Sequence, residues 1–443
     1  LDLNKTKINK VGIVGSGTMG SQIAALFANY GIPVLLLDVE TKKDGFYTSE
    51  IAEAAIKRLQ EIKPSPIINE SVLELIETGN TKEDMKTLNE VDWVIEAVSE
   101  NINIKKTVWQ NISRYVDTHT ILSTNTSGIL ISSIMSSLPK KMKNRFMGTH
   151  FFNPPRYLKL LEIIPTEATD SQIIASVTEF AENVLEKGVV ICKDVPNFIG
   201  NRLWLFSIMA TLKYAEKYNI KPNEVDAITG SFLGRPKSAT FRTMDIVGLD
   251  VLVAICDNLI EYFEGTSEKE YYEVPSYLRE LVKRGWIGAK SGQGIYRKSE
   301  SDGRNIIETI DLNSFEYSAY PPFEPNKILS VSDIDDTGLR IKKVIYDCND
   351  NVSKFVRDVL LSTLIYTASK SNEIAYDLAS IDNAMKWGFG WELGPFELWD
   401  ILGLGDSLKL MNEIGMKAPQ WVELLSEKSN KFFEKDIREI EYG

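Results

Sequence analysis

Histidine is nearly missing from this sequence: His119 and His150 are the only two in 443 residues. Cysteine is down to three, Cys192, Cys256 and Cys348, widely spaced. No paired set of the zinc or redox kind exists, and no metal site is expected. The cysteines read as reduced core residues of a cytoplasmic protein. Basic charge is short as well. Fifty Lys and Arg against 62 Asp and Glu leave a net charge of -12, which argues against nonspecific nucleic-acid binding, since that rests on cations neutralising phosphates. Long apolar runs are also absent. The longest uncharged apolar stretch, Leu203 to Leu212, lies between Arg202 and Lys213 and is about half the ~20 residues a membrane helix needs. The opening residues Leu1 to Lys10 are polar and lack a signal-peptide core. A chain that begins on Leu reads as trimmed or as a piece of a longer one.

What remains, 43% hydrophobic and 25% charged, is the balance of a globular protein long enough for two or three domains. From Val11 to Cys192 short apolar runs alternate with helix-period stretches, the pattern of a parallel sheet faced by helices. The expected strands are Val11–Val14, Val34–Asp38, Trp93–Val98, Thr120–Ser123, Phe146–His150, Lys159–Ile164 and Val189–Cys192. A helical arm is expected over 46–88, with helices at Ser49–Ile62 and Glu70–Thr78. After Val195-Pro196 helical signals take over. Residues 193–297 read as a first helical domain, 298–338 as an irregular polar linker, and 339–443 as a second helical domain. The two helical domains match each other: Phe198 pairs with Phe355, Val225-Asp226-Ala227 with Ile381-Asp382-Asn383, and Asp245-Ile246-Val247-Gly248-Leu249 with Asp400-Ile401-Leu402-Gly403-Leu404. Near-constant separation of these landmarks points to duplication of one helical unit.

Gly15-Ser16-Gly17-Thr18-Met19-Gly20 follows the strand Val11–Val14 and opens a helix. Gly15 permits a tight turn, Gly17 admits a pyrophosphate close to backbone, and Gly20 lets helix pack on strand; Thr18 and Met19 bring their N–H groups to the helix start. The next strand ends in Asp38, placed to accept hydrogen bonds from an adenosine ribose. A carboxylate there repels a 2'-phosphate, so NAD is expected over NADP. Glu96-Ala97-Val98 ends another strand at the edge where ligands of such folds collect, and reads either as a cofactor contact or as a strand end with a solvated acid.

His119, in Asp117-Thr118-His119-Thr120, reads as a loop residue. His150 ends a strand among aromatics, Phe151-Phe152-Asn153-Pro154. Alone it would pass for a core histidine. Glu162 on the next apolar segment, Leu160-Leu161-Glu162-Ile163-Ile164, needs a partner, because burying a carboxylate unpaired is costly. An imidazole that accepts a proton becomes a cation that an adjacent carboxylate stabilises, so His150 and Glu162 form a coherent acid–base dyad. Ser127, in Ser123-Thr124-Asn125-Thr126-Ser127, either holds a substrate oxygen or caps a helix Ile129–Leu138. Asn201 either donates to a substrate carbonyl or pins the domain junction.

With these motifs in hand, the chain resembles the 3-hydroxyacyl-coenzyme A dehydrogenases of fatty-acid β-oxidation. The resemblance rests on Gly15–Gly20 with Asp38, Glu96-Ala97-Val98 with Glu100, Ser123–Ser127, His150–Pro154, Glu162, Pro196–Arg202, Gly285–Tyr296 and Gly394-Pro395-Phe396-Glu397. It implies a Rossmann-type NAD-binding domain over 1–192 followed by two duplicated all-α domains. It further implies His150 as base with Glu162 as its partner, Ser127 and Asn201 around the reacting carbon, Asn125 at the cofactor, and Asn153 supporting the histidine. An acyl-coenzyme A partner brings a phosphoadenosine, for which Lys57, Arg58 and Lys63 are candidates; a solvated helix face is the alternative. The doubled helical unit is similar to multifunctional members fused to an enoyl-coenzyme A hydratase, and implies a monomer with an internal pseudo-dimer. One departure stands out: the first repeat reads Gly234-Arg235-Pro236 and Ala239-Thr240-Phe241 where the second keeps Gly394-Pro395-Phe396. The alternatives are another β-hydroxyacid dehydrogenase, in which a lysine typically catalyses, and a non-catalytic NAD-binding relative with a structural or sensing role.

Overall fold

The computed structural model describes residues 7–301 and 304–433. The chain divides into two compact units, Leu1–Asn201 with Asn372–Gly388, and Arg202–Ser371 with Phe389–Gly443.

The first unit is built on an eight-stranded sheet in the order Gly188–Ile191, Leu160–Pro165, Phe146–Phe151, Ile121–Thr124, Trp93–Glu96, Val11–Val14, Val34–Asp38, Ile76–Asn80. Neighbours pair in parallel except Leu160–Pro165, which runs antiparallel to Phe146–Phe151. The central strands carry no exposed residue, as near-continuous apolar runs require of a sheet covered on both faces. Helix Thr18–Asn29 packs Ile23 and Phe27 into that core, and Phe27 meets Trp93 edge-on with ring centroids 5.5 Å apart. The chain runs outward from Val11–Val14 to Ile76–Asn80, then returns on the other side at Trp93–Glu96. This reversal leaves a crevice at the ends of Val11–Val14 and Trp93–Glu96, where doubly wound sheets bind ligands.

The arm expected over 46–88 is helical only in part. A strand pair Thr41–Lys43 and Phe46–Thr48 leads into helix Glu50–Leu59, and the second expected helix is a 3-10 turn, Glu70–Leu75, followed by the strand Ile76–Asn80. That strand carries no apolar alternation: Ile76, Gly79 and Asn80 are buried, Glu77 is exposed, and Gly79 sits so close to Leu37 that a Cβ would lie 2.7 Å from Leu37 Cδ2. The segment read as linker, 298–338, forms an antiparallel sheet of Tyr296–Ser301, Arg304–Ile310 and Tyr317–Ser318, with a short helix Pro325–Ile328. Most side chains of its strands are exposed or half-buried, while Thr309 and Ile310 are buried.

In the second unit, Lys217 Nζ meets Asp358 at 2.9 Å, Tyr214 Oη meets Ser362 Oγ at 2.9 Å, and Arg202 Nε meets Tyr366 Oη at 3.1 Å. Rising numbers on one long helix face falling numbers on the other, so the two copies' long helices cross antiparallel, an arrangement that a twofold axis perpendicular to them would produce. The repeat is visible in detail: Asp245 accepts the N–H groups of Ile295 and Tyr296, and Asp400 accepts those of Phe432 and Phe433. Within the second copy, residues Asn372–Gly388 group with the first unit. Among the described residues no helix is long and apolar enough to cross a membrane.

Candidate active site

Gly15, at φ +105°, makes the turn out of Val11–Val14; a Cβ there would lie 2.7 Å from the backbone of Ala97. Gly20 is packed as tightly, since its Cβ would fall 1.7 Å from the Gly15 carbonyl oxygen. Gly17 differs. Nothing of the protein lies within 4 Å of a Cβ built on it. Its conformation is an ordinary extended one and no side chain caps the helix behind it. The protein's own packing does not require glycine there. Bare backbone at an uncapped helix start, beside Thr18 and Met19, is what a pyrophosphate needs. Asp38 stands next to this loop, with Oδ2 accepting the Ser16 N–H at 2.5 Å and the Ser16 hydroxyl at 2.6 Å. Ser16, noted in the sequence only as part of the motif, is thus what holds Asp38 against the turn.

The Glu96 side chain points inward. It is fully buried and accepts from Lys105 Nζ (2.8 Å), Thr124 Oγ1 (2.7 Å), Trp109 Nε1 (3.3 Å) and the Val98 N–H (2.9 Å). What this segment presents beneath Gly15 is the backbone of Ala97 and Val98. Glu100 has the role at the surface that Glu96 has inside. It accepts Thr126 Oγ1 at 2.5 Å, the N–H groups of Ser127 and Gly128, and the Ser127 hydroxyl at 3.3 Å. Burial raises its pKa, but the Lys105 ammonium and these donors outweigh that and hold the carboxyl below its usual range. Ser127 does not cap a helix. The helix is shorter than expected, Ile131–Met135, and its first amides, those of Ile131 and Ser132, are bonded by Asp194. Asn125 accepts the Phe151 N–H, tying the loop to the strand that carries His150.

His150 and Glu162 are direct cross-strand partners of the antiparallel pair Phe146–Phe151 and Leu160–Pro165. The Nδ1–Oε2 distance is 2.7 Å, with Glu162 fully buried and His150 nearly so. Phe152 and Phe198 flank the imidazole, at ring centroid distances of 4.3 and 5.9 Å. Glu162 Oε1 accepts the N–H groups of Gly200 (2.8 Å) and Ile199 (3.2 Å), at the start of helix Gly200–Tyr218, whose positive end favours a carboxylate. Asn197 and Phe198, both left-handed at φ 60° and 49°, turn the backbone so that those two amides face the acid. Such strain costs of order 1–3 kcal/mol per residue and clusters at functional sites. With Nδ1–H donating to Glu162, the Nε2 lone pair is the basic position.

Asn201 Nδ2 donates to the Ser127 carbonyl at 3.3 Å, so these two candidates are neighbours. Asn153 Oδ1 accepts from Gln22 of the loop helix at 3.3 Å. A cavity of about 420 Å³ is lined by Thr18, Ser21, Gln22, Arg58, Lys63 and Asn153, among others. Arg58 and Lys63 thus face the phosphate loop; exposed Lys57 is not on this wall. Buried Lys187 donates to the carbonyls of Pro155 and Leu158, and burial lowers its pKa to about 8. Among the described residues no cluster of His, Cys, Asp and Glu is arranged to hold a metal.

Comparison with known proteins places the chain in a family. The family model for the 3-hydroxyacyl-CoA dehydrogenase NAD binding domain matches residues 10–195, and that for the C-terminal domain matches 198–298 and again 355–435. The second match independently marks the duplicated unit. A protein of Bacillus subtilis named as a probable 3-hydroxyacyl-CoA dehydrogenase is 41% identical over 96% of this chain, which spans 55% of that protein's length. One of the same name from Deinococcus radiodurans is 38% identical over 76% of this chain and 98% of its own. The crystal structure of 3-hydroxybutyryl-CoA dehydrogenase from Escherichia coli shares the fold at TM-score 0.71, covering 95% of this chain and 98% of its own, at 21% identity. The chain belongs to the 3-hydroxyacyl-CoA dehydrogenase family and carries that family's NAD-binding domain.

Proposed function

We propose that the chain catalyses the reversible oxidation of a (3S)-hydroxyacyl-coenzyme A to the 3-ketoacyl thioester with NAD, in fatty-acid β-oxidation or related short-chain acyl metabolism. The observation that carries this is the buried His150–Glu162 pair at the ligand-binding edge of an NAD-binding sheet. NAD, when bound, accepts the hydride from C3. The protein's part is to take the hydroxyl proton on His150 Nε2 while Glu162 stabilises the resulting imidazolium. Ser127 and Asn201 orient the C3 oxygen, Asn153 supports the histidine, and holding the reacting atoms together supplies much of the rate. Gly15, Gly17 and Gly20 with Thr18 and Met19 receive the pyrophosphate, Asp38 the ribose, and Ala97, Val98 and Asn125 line the cofactor's path; Glu96 supports that path from within. Arg58 and Lys63 offer charge to the phosphates of coenzyme A. Among the described residues, the two buried lysines of the first unit are otherwise engaged, Lys105 with Glu96 and Lys187 with backbone carbonyls, which weighs against a lysine-based β-hydroxyacid dehydrogenase. Three free cysteines suit a reducing cytoplasm. NADH consumption with acetoacetyl-coenzyme A, longer 3-ketoacyl thioesters and free 3-oxo acids tests the reading. Turnover of free acids alone, or of none, would sink it.

Two outcomes follow for the cofactor site. Asp38→Ser is expected to narrow the preference for NAD over NADP, because the carboxylate that repels a 2'-phosphate is gone; equal use of both cofactors by the unaltered protein would refute the ribose assignment. Gly17→Ala is expected to leave thermal stability unchanged and weaken NADH binding roughly tenfold or more, about 1.4 kcal/mol per factor of ten. Gly20→Ala, in contrast, is expected to lower stability itself, since its Cβ strikes the Gly15 carbonyl. Equal melting losses in the two variants would mean that Gly17 is a packing residue.

A further inference from the structure

We infer that residues Asn372–Gly388 of the second helical copy are a positioning element for the His150–Glu162 pair, acting through the contact of Trp387 with Gly188. The inference rests on the proposed dehydrogenase reading and assigns the second copy a part in the reaction. The strand bearing Glu162 has His150 opposite it on one side and the edge strand Gly188–Ile191 on the other, with Val190 in register with Glu162. That edge strand is clamped from outside. Cys192 bridges to Ala375, the Lys193 N–H donates to the Ile374 carbonyl at 3.0 Å, and the Lys193 ammonium holds the Asn372 carbonyl. Below, the Trp387 ring lies against Gly188, where a Cβ would fall 2.3 Å from Cε3 and 2.6 Å from Cζ3. Gly388 repeats the approach, its Cβ position lying 2.5 Å from Leu160 Cδ2.

Gly188 does not have a positive φ; the indole, not the backbone, accounts for glycine there. Cys192, fully buried, lies two residues beyond Val190, which is in register with Glu162, and burial followed by the Glu162 charge pushes its thiol pKa well up. Residues 372–388 therefore reach Glu162 in two ways, through Cys192 and through the strand that Trp387 supports. The corresponding helix of the first copy, Pro222–Thr229, lies in the other unit, so the copies have diverged in use. A dyad functions within about 0.5 Å of its geometry, and a misplacement of about 1 Å from outside the site can cost about a hundredfold in rate.

The test uses the full chain with Gly188→Ala, Trp387→Leu and the double variant. Three quantities are read: kcat and KM with acetoacetyl-coenzyme A, the Kd of NADH by fluorescence, and the imidazole N–H proton resonance of His150, with exposed His119 the only other histidine to assign. In Gly188→Ala, kcat is expected to fall by roughly tenfold to a hundredfold, the NADH Kd to hold, and the His150 resonance to broaden or vanish. Adding Trp387→Leu makes room for the methyl group and is expected to restore most of both. A normal kcat and resonance in Gly188→Ala would overturn the inference, as would a double variant no better than the single one, or a lost kcat with an intact resonance. If Gly188→Ala does not yield folded protein, Trp387→Leu alone is read in the same way, with Trp387→Phe as the conservative variant expected to stay near normal. Absence of turnover in the unaltered protein would defeat the dehydrogenase reading, while the resonance and NADH binding would still decide the positioning claim.

Discussion

His150→Gln is expected to lower turnover by about two to four orders of magnitude, the scale of losing a general base, with little change in NADH affinity. Gln fills a similar volume between Phe152 and Phe198 but has no group that gains a proton at neutral pH. Glu162→Gln is expected to be nearly as damaging for a different reason. The two carboxylate oxygens accept from three donors, the His150 Nδ1–H and the N–H groups of Ile199 and Gly200. An amide has one oxygen for all of them. If its oxygen stays with the backbone, its NH2 meets His150 and forces the tautomer with the proton on Nε2, where the base must be free. Steady-state kinetics and NADH titration on folded variants measure both. Near-normal turnover in His150→Gln would remove the base assignment; an unchanged rate and pH profile in Glu162→Gln would leave Glu162 a structural residue.

The second large effect is expected from cutting the chain after Lys298. The lost helix Asn351–Ile374 buries Phe355, Val356, Val359, Leu360, Leu361 and Leu364, and its removal uncovers the apolar face of the first copy's long helix. Burial of one such side chain contributes about 1.5–3 kcal/mol, so the lost core is comparable with the whole of the roughly 5–15 kcal/mol by which most domains are stable. The cut also strands charge. Buried Arg202 and Glu268 are held by Tyr366 Oη as well as by each other, and Lys370 completes the cluster; breaking such a buried network is strongly destabilising. The cut further strips Asn372–Gly388 from the edge of the first unit's sheet. The expected result is a truncated protein that self-associates or precipitates and does not turn over, against an intact chain that is monomeric because its second copy serves as its own partner. Light scattering with the activity assay decides this. A stable dimer of the full chain, or a truncated form that is soluble, monomeric and fully active, would show that the duplication serves another purpose.

Local pattern was enough for much of this protein. The glycine loop, the strands Val11–Val14 and Val34–Asp38, and the position of Asp38 follow from spacing along one stretch of chain, because turn, helix start and the acid at the strand end are set by neighbours in sequence. The His150–Glu162 pairing was inferable because a chain with two histidines, and an acid in the middle of an apolar strand instead of at its end, leaves few ways to satisfy either. The repeat was legible as repeated letters. Register and long-range packing were not. That His150 and Glu162 face each other depends on the one antiparallel pairing in an otherwise parallel sheet, and strand direction leaves no local mark. Glu96 looked like a ligand contact because an acid at a strand end is ambiguous until Lys105, Thr124 and Trp109 are seen to surround it. The strand Ile76–Asn80 and those within 298–338 were missed because half-exposed edge strands lack a strong apolar period. Only tertiary structure joined Asn372–Gly388 to a sheet nearly two hundred residues earlier, since a glycine left bare for a distant indole cannot be told, in sequence, from a glycine left bare for a turn.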